Sequence, residues 1–427
     1  MKVGAARVDI TPPLGLRMQG FETRTAGATG VHDPLHARVL AFEGPDEPAV
    51  LVVADLLQID DRLQGIIADE VRRRTGLDRD HLQLAGTHTH SGPDFAEPTD
   101  YELSAGRRIA AAVEEAWNAR RPAVAAVGAA PVTGIGKNRR HPHDGPVDDD
   151  VTVLRIDNEQ GAPIATLVNY SCHPTTLGPD NLLYSADYPG VVCRLVDERV
   201  GGVSVFSTGA QGDVNPGGYS PEDSMIGIVA PWRTFESAER YGSAITDVAV
   251  DLRRRLEPSP TDDVWARARV LELPRRELPS VEEAERAVDD ATRLVASARP
   301  LRSLQVTHAA LLAEAHARLV LEHASRPDRY GPVHVRVSAL GLGPATHVGI
   351  QGELFTGLGM DIKRGLGAGR TFVAVLCDGT IGYIPTRDAY AEGGYEPSAS
   401  PLAPGGGEAI VEATIALGTA RQGAPVR

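Results

Sequence analysis

The run Val50-Leu51-Val52-Val53 restricts the fold more than any other stretch, because it has no polar face. A strand that is apolar on both sides must be buried on both sides, which requires a layer of structure above it and another below. A helix follows it in the chain. Asp60 or Asp61 is its N-cap, Leu63, Ile66, Ile67 and Val71 form its apolar stripe, and Gly76 stops it. Leu82 and Leu84 then alternate into a second strand, which ends in Gly86-Thr87-His88-Thr89-His90-Ser91-Gly92-Pro93. This β-α-β order predicts an α/β protein: one large domain over residues 1–427, a mixed sheet flanked by helices, and an active site at strand ends.

The rest of the chain fits that plan. Strands are expected at Val8–Ile10, Ala37–Phe42, Ala123–Ala129, Val151–Ile156, Ile164–Asn169, Val203–Phe206, Val333–Leu340, Ala345–Ile350 and Thr371–Leu376. Helices are expected at Leu103–Ala119, Tyr188–Glu198 and Phe235–Leu256. Ser280–Ala298 and Leu304–His323 read as a charged helical hairpin joined by Arg299-Pro300. Its histidines, His308, His316 and His323, are read as structural or exposed rather than catalytic.

Charge narrows the functions. A net charge of -14 excludes a nucleic-acid partner, whose phosphates need a basic surface, and disfavours docking on an anionic membrane. Three cysteines without framework spacing fit a reducing compartment. The N-terminal stretch lacks an apolar signal-peptide core, and no run is long enough to span a bilayer. A cytoplasmic protein without stable membrane association is expected, with a small-molecule substrate and room for a homo-oligomer.

His88 and His90 stand two residues apart at a strand end, so their imidazoles point the same way. Spacing alone leaves two readings open, a metal pair or a polar loop that bonds nearby backbone. His173, in Cys172-His173-Pro174, and Glu353, in Gly352-Glu353-Leu354, also lie just past apolar strands. Distant segments thus deliver His, His and Glu to one edge of a sheet, the donor types of an open catalytic zinc site.

Several segments, in this order, resemble the catalytic N-terminal domain of the neutral ceramidases and their shorter bacterial relatives. They are Val8-Asp9-Ile10-Thr11, Val31-His32 to Arg38, the Thr-His-Thr-His-Ser-Gly-Pro motif, Asn138-Arg139, the His173 block, Gly212-Asp213-Val214-Asn215-Pro216, Gly352-Glu353, Tyr383-Ile384-Pro385-Thr386 with Tyr390, and Tyr395-Glu396. The resemblance implies zinc held by His88, His173, Glu353 and Tyr383. It also implies His90 and Arg139 near the substrate, and Tyr395 as an oxyanion partner. Without it, Tyr383 reads as an ordinary sheet tyrosine. The expected activity is hydrolysis of a carbon–nitrogen amide bond by metal-activated water. His90 would carry the proton, and Arg139 would take part in catalysis or anchor a polar group of the substrate.

Two departures qualify the substrate. The family places a serine where this chain has Asn215, an amide that can bind a substrate but cannot attack it. The chain also ends soon after Tyr395 and is only 5% aromatic. A small soluble amide is therefore expected in preference to ceramide. A metal-dependent lyase or isomerase, a true ceramidase and a non-catalytic metal-binding protein are the competing readings.

Overall fold

The computed structural model describes residues 1–419 except 22–23, 96–98, 218–229, 299–303 and 327–329, with the side chains at 304–309 and 312 also set aside. Eight main strands make the larger sheet. They are β1 (Lys2–Asp9), β2 (His36–Glu43), β3 (Pro48–Ala54), β4 (Leu82–Gly86), β5 (Arg121–Pro131), β6 (Asp150–Asn158), β7 (Pro163–Tyr170) and β8 (Val203–Thr208). Their order is β8-β7-β6-β5-β1-β2-β3-β4, and Ser259–Pro260 adds a ninth, short strand on β5. The sheet is mixed. β3 and β4 are parallel, as are β7 and β8, and the other neighbours are antiparallel.

A second sheet of four strands was not expected. β9 (Val264–Leu273), β10 (Val333–Leu342), β11 (Ala345–Ile350) and β12 (Thr371–Val375) run in that order, the last pair parallel. β9 escaped notice because its arginines and exposed Val270 blur the period-two signal, although Leu271 and Leu273 are buried. The two sheets lie face to face, with Leu40, Leu51 and Val53 of the first packed with Leu340, Leu342 and Phe372 of the second.

Helices cover the outer faces. α1 (Asp61–Thr75) and α2 (Asp100–Asn118) pack Leu63, Ile67, Ile109 and Val113 onto Val39, Val50 and Val52. α3 (Asp187–Val200) and α4 (Phe235–Arg255) cover β6 to β8 through Val192, Val196 and Ile245. The helical hairpin is present as α5 (Val281–Ala298) and α6 (Leu304–Ser325), while its Arg299-Pro300 link lies outside the described residues. α7 (Thr356–Leu366) and α8 (Gly406–Thr419) cover the second sheet through Leu358, Ile362, Ile410 and Leu417. The four layers run helix, sheet, sheet, helix. They explain the Val50–Val53 run: Val50 and Val52 face the helices, Leu51 and Val53 the other sheet.

Sheet curvature positions the site. β4 and β8 are opposite edges of the larger sheet, yet the Thr208 hydroxyl donates to the Thr87 carbonyl at 2.7 Å. The second sheet joins the same place, since Asp378 N–H donates to Leu84 O and Gly212 N–H to Leu354 O. The carboxyl ends of β4, β7, β8, β11 and β12 therefore converge.

Candidate metal centre and its surroundings

Each histidine of the centre is aimed by the backbone around it. His88 follows β4 with φ +66, a left-handed conformation that costs a branched or bulky residue energy and that the surroundings must enforce. Thr87 N–H donates to Ala54 O and His88 N–H to Leu56 O, which fixes the turn. The His88 Nδ1 lies 3.1 Å from Leu57 O, and the His173 Nδ1 lies 3.0 Å from Val214 O. A carbonyl only accepts, so each Nδ1 carries the hydrogen and each Nε2 turns its lone pair inward.

Both lone pairs face the same carboxylate. Glu353 Oε2 is 3.0 Å from His173 Nε2 and 3.5 Å from His88 Nε2. His90 Nε2 is 3.3 Å from His88 Nε2. Acceptors crowded together in this way repel unless a cation or extra protons lie between them. Tetrahedral bonds of about 2.0–2.1 Å give edges of about 3.3 Å, so the spacing fits a zinc-sized ion. His88, His90 and His173 offer ring nitrogens that all lie within 4.8 Å of one another.

Burial opposes charge on two of the rings, His173 and His90. Burial pulls His173 down to about 4, only partly opposed by its bond to Glu353. Burial likewise pulls His90 well below the ordinary histidine value, helped by His88, His173 and Arg24. Burial pushes the Glu353 carboxyl up, but the nearby His88 and His173 outweigh it and hold it well below the usual range. His90 differs in one respect: among the described residues its buried Nδ1 has no hydrogen-bond partner, so no carbonyl fixes its tautomer. The Glu353 side chain keeps 12% exposure, and His90 is only partly buried, so the centre opens there.

Tyr383 sits beside Glu353 as its register partner in the parallel pair Glu353–Leu354 and Tyr383–Ile384. Its ring meets Tyr395 edge-on at 5.3 Å, and burial pushes its hydroxyl pKa well up. Arg139 also lies over these rings, 5.4 Å from the centroid of Tyr383 and 6.0 Å from that of Tyr395. The structure thus brings both tyrosines, Arg139 and Glu353 to one side of the histidines.

Arg139 lies in a basic stretch, Lys137 to Arg140, that packs into the protein. Gly136–Asn138 pairs antiparallel with Val214–Pro216, which buries Asn138, Arg139 and Asn215. Arg139 Nε donates to Glu396 Oε1 at 2.7 Å, and its Nη1 donates to Asn215 Oδ1 at 3.2 Å. Arg140 takes the other Glu396 oxygen at 2.8 Å. Glu396 was quoted only as part of a motif, but it is fully buried and balances two arginines. Asp213, quoted within the Gly212 to Pro216 motif, has a structural part as well. It accepts from Asn138 Nδ2 and from Thr356 N–H at the start of α7, tying the loop to the second sheet. Gly212 allows the close approach: a Cβ there would lie 2.5 Å from Glu353 O.

Sequence reasoning also missed the wall beside His90. The Phe21 ring is 4.9 Å from the His90 ring and is flanked by Arg24 and Arg233, their guanidinium carbons 5.3 and 5.2 Å from its centroid. Gly20 is needed for this contact, with φ +108 and the His90 ring 2.6 Å from where a Cβ would stand. No sequence pattern marks this group.

No protein-family model matches the chain. Neutral ceramidase A from Dictyostelium discoideum is 26% identical over 259 residues, 52% of this chain and 36% of its own length. Neutral ceramidase B from the same organism is 25% identical over 263 residues. The chain spans about a third of the length of these curated relatives. A neutral ceramidase structure from Pseudomonas aeruginosa superposes with a TM-score of 0.78 over 98% of this chain and 74% of that one, at 17% identity. A ceramidase complexed with C2 gives 0.75 at 16% identity, over 98% and 75%. The chain is similar in sequence to the neutral ceramidases over about half its length and shares the fold of their solved structures.

Proposed function

We propose that the protein is a zinc-dependent hydrolase of an amide bond in a small soluble substrate. The observation that carries this reading is the tautomer set at His88 and His173, whose unprotonated Nε2 atoms both face the Glu353 carboxylate. Tyr383, next to Glu353 in register, is the proposed fourth ligand. When bound, zinc supplies Lewis-acid polarisation of the carbonyl and lowers the pKa of water towards ~7.

The chain's residues do the remaining work. His90, held neutral and free of a tautomer lock, accepts a proton from water and returns it to the leaving nitrogen. The Tyr395 O–H donates to the oxyanion that develops on the carbonyl. Arg139, fixed by Glu396 and Asn215, supports the two tyrosine rings and adds positive charge on that side. Asn215 is wholly buried and accepts from Arg139, so it positions that arginine in place of the expected substrate contact; an amide cannot attack, which leaves water as the nucleophile.

The names of the curated relatives support an amide as the substrate class. Among the described residues no helix is long and apolar enough to cross a membrane. The test is metal analysis combined with a panel of N-acyl amides from short to long acyl chains, comparing wild type with His88→Ala. Zinc-dependent turnover of short amides, lost in the variant, supports the reading. Turnover indifferent to chelator and to the substitution overturns it.

A further inference from the structure

We propose that Arg24 and Arg233, flanking Phe21 beside the metal centre, form a subsite for a carboxylate carried by the substrate. The inference rests on the amide-hydrolase reading and narrows the substrate to acidic N-acyl compounds, of which an N-acyl amino acid is the simplest.

The argument begins with charge compensation. Burying a guanidinium is costly unless a carboxylate neutralises it. Three buried arginines show how this is met: Arg139 and Arg140 share Glu396, and Arg38 has Asp55. Arg24 is 3% exposed and has no carboxylate partner among the described residues. Among those residues its bonds go to the backbone carbonyls of Gln19, His90 and Asn181, and its buried Nε has no partner. Burial pulls its pKa down to about 10.

Position makes this charge relevant to the reaction. Arg24 Nη2 donates to the carbonyl of His90 itself at 2.5 Å. Arg233 is 7% exposed, and its guanidinium carbon lies 5.2 Å from the centroid of the Phe21 ring, itself in contact with the His90 imidazole. Asn181, whose carbonyl Arg24 holds, donates to the Ser91 hydroxyl in the loop that carries His88 and His90. Two cations and an aromatic ring thus stand next to the opening of the centre in a chain whose net charge is -14. A planar fork suits a carboxylate, and the ring beside the forks gives the adjacent carbon chain an apolar surface. A purely structural clamp on the His90 carbonyl would need a donor, but no retained positive charge.

The test uses the full-length, zinc-loaded protein and a matched pair, an N-acylglycine and the N-acyl ethylamine that lacks its carboxylate. Binding is measured by calorimetry and hydrolysis by steady-state kinetics, for wild type and Arg24→Gln. Wild type is expected to favour the N-acylglycine at least tenfold in Kd and KM, and the preference to fall as ionic strength rises. In Arg24→Gln the ratio between the two ligands falls towards one. Should that variant not fold, Arg233→Gln and the wild-type salt dependence carry the same prediction. Equal binding of the pair by wild type, no binding of either, or an equal loss for both ligands in the variant overturns the subsite. Discrimination in binding without hydrolysis of either compound would sink the hydrolase reading and leave the subsite standing.

Discussion

At the scale of single residues, the account turns on which imidazoles are pinned and which is free. His88 and His173 each spend Nδ1–H on a carbonyl, which leaves Nε2 as the donor for the proposed metal. Replacing His88 with Ala should lower bound zinc below about a tenth of an equivalent by elemental analysis, because the first donor is gone. His90 has no such carbonyl. His90→Gln is therefore expected to keep its zinc while kcat falls about 10²- to 10⁴-fold, the usual contribution of a general acid–base. Loss of zinc in that variant would make His90 a ligand instead. The sequence made these residues legible as strand-end histidines, and the resemblance divided the roles between His88 and His90. It could not show the tautomers, which depend on the carbonyls of Leu57 and Val214, 31 and 41 residues away in the chain.

At the scale of elements, the site depends on how closely loops from different strands approach. Gly212 lies where a Cβ would stand 2.5 Å from Glu353 O. Gly212→Ala should therefore shift Glu353, weaken zinc binding in a chelator competition and cost about 1–3 kcal/mol in urea unfolding, as overpacking does. The sheets offer a second prediction. Leu51 is fully buried between them, and Leu51→Ala should cost about 2–5 kcal/mol through the lost methylenes and the cavity left behind. Elements with strong periodicity were legible: Pro48–Ala54 and α1 lie where their patterns place them. β1 runs from Lys2, well before the expected Val8, because glycine and alanine in Lys2–Asp9 give little apolar contrast. Arg24 carried no signal at all, since only the fold brings Gly20-Phe21 and Arg24 against His90.

At the scale of the whole molecule, four packed layers trap polar groups at the seam between the sheets. His347 is fully buried there, with Nδ1 against Gln83 Oε1 at 2.7 Å and Nε2 against the Ser207 hydroxyl at 3.1 Å. Burial pulls its pKa to about 3. The unfolded chain, titrating near the ordinary value of 6.5, then binds the extra proton first as pH falls. The stability held above pH ~6.5 is thus lost progressively down to pH ~3, by up to about 1.4 kcal/mol per pH unit for this group. His347→Gln should flatten this part of the stability profile in unfolding measured against pH. The same layers bring the ends of five strands together as the metal centre, and the central claim is that this centre is the seat of amide hydrolysis. Its most direct test is zinc titration of chelator-treated protein while hydrolysis of a short N-acyl amide is followed. The account predicts that activity rises linearly and saturates at one zinc per chain, and that a Glu353→Ala protein shows no such rise. Full hydrolysis before any zinc is added would contradict it.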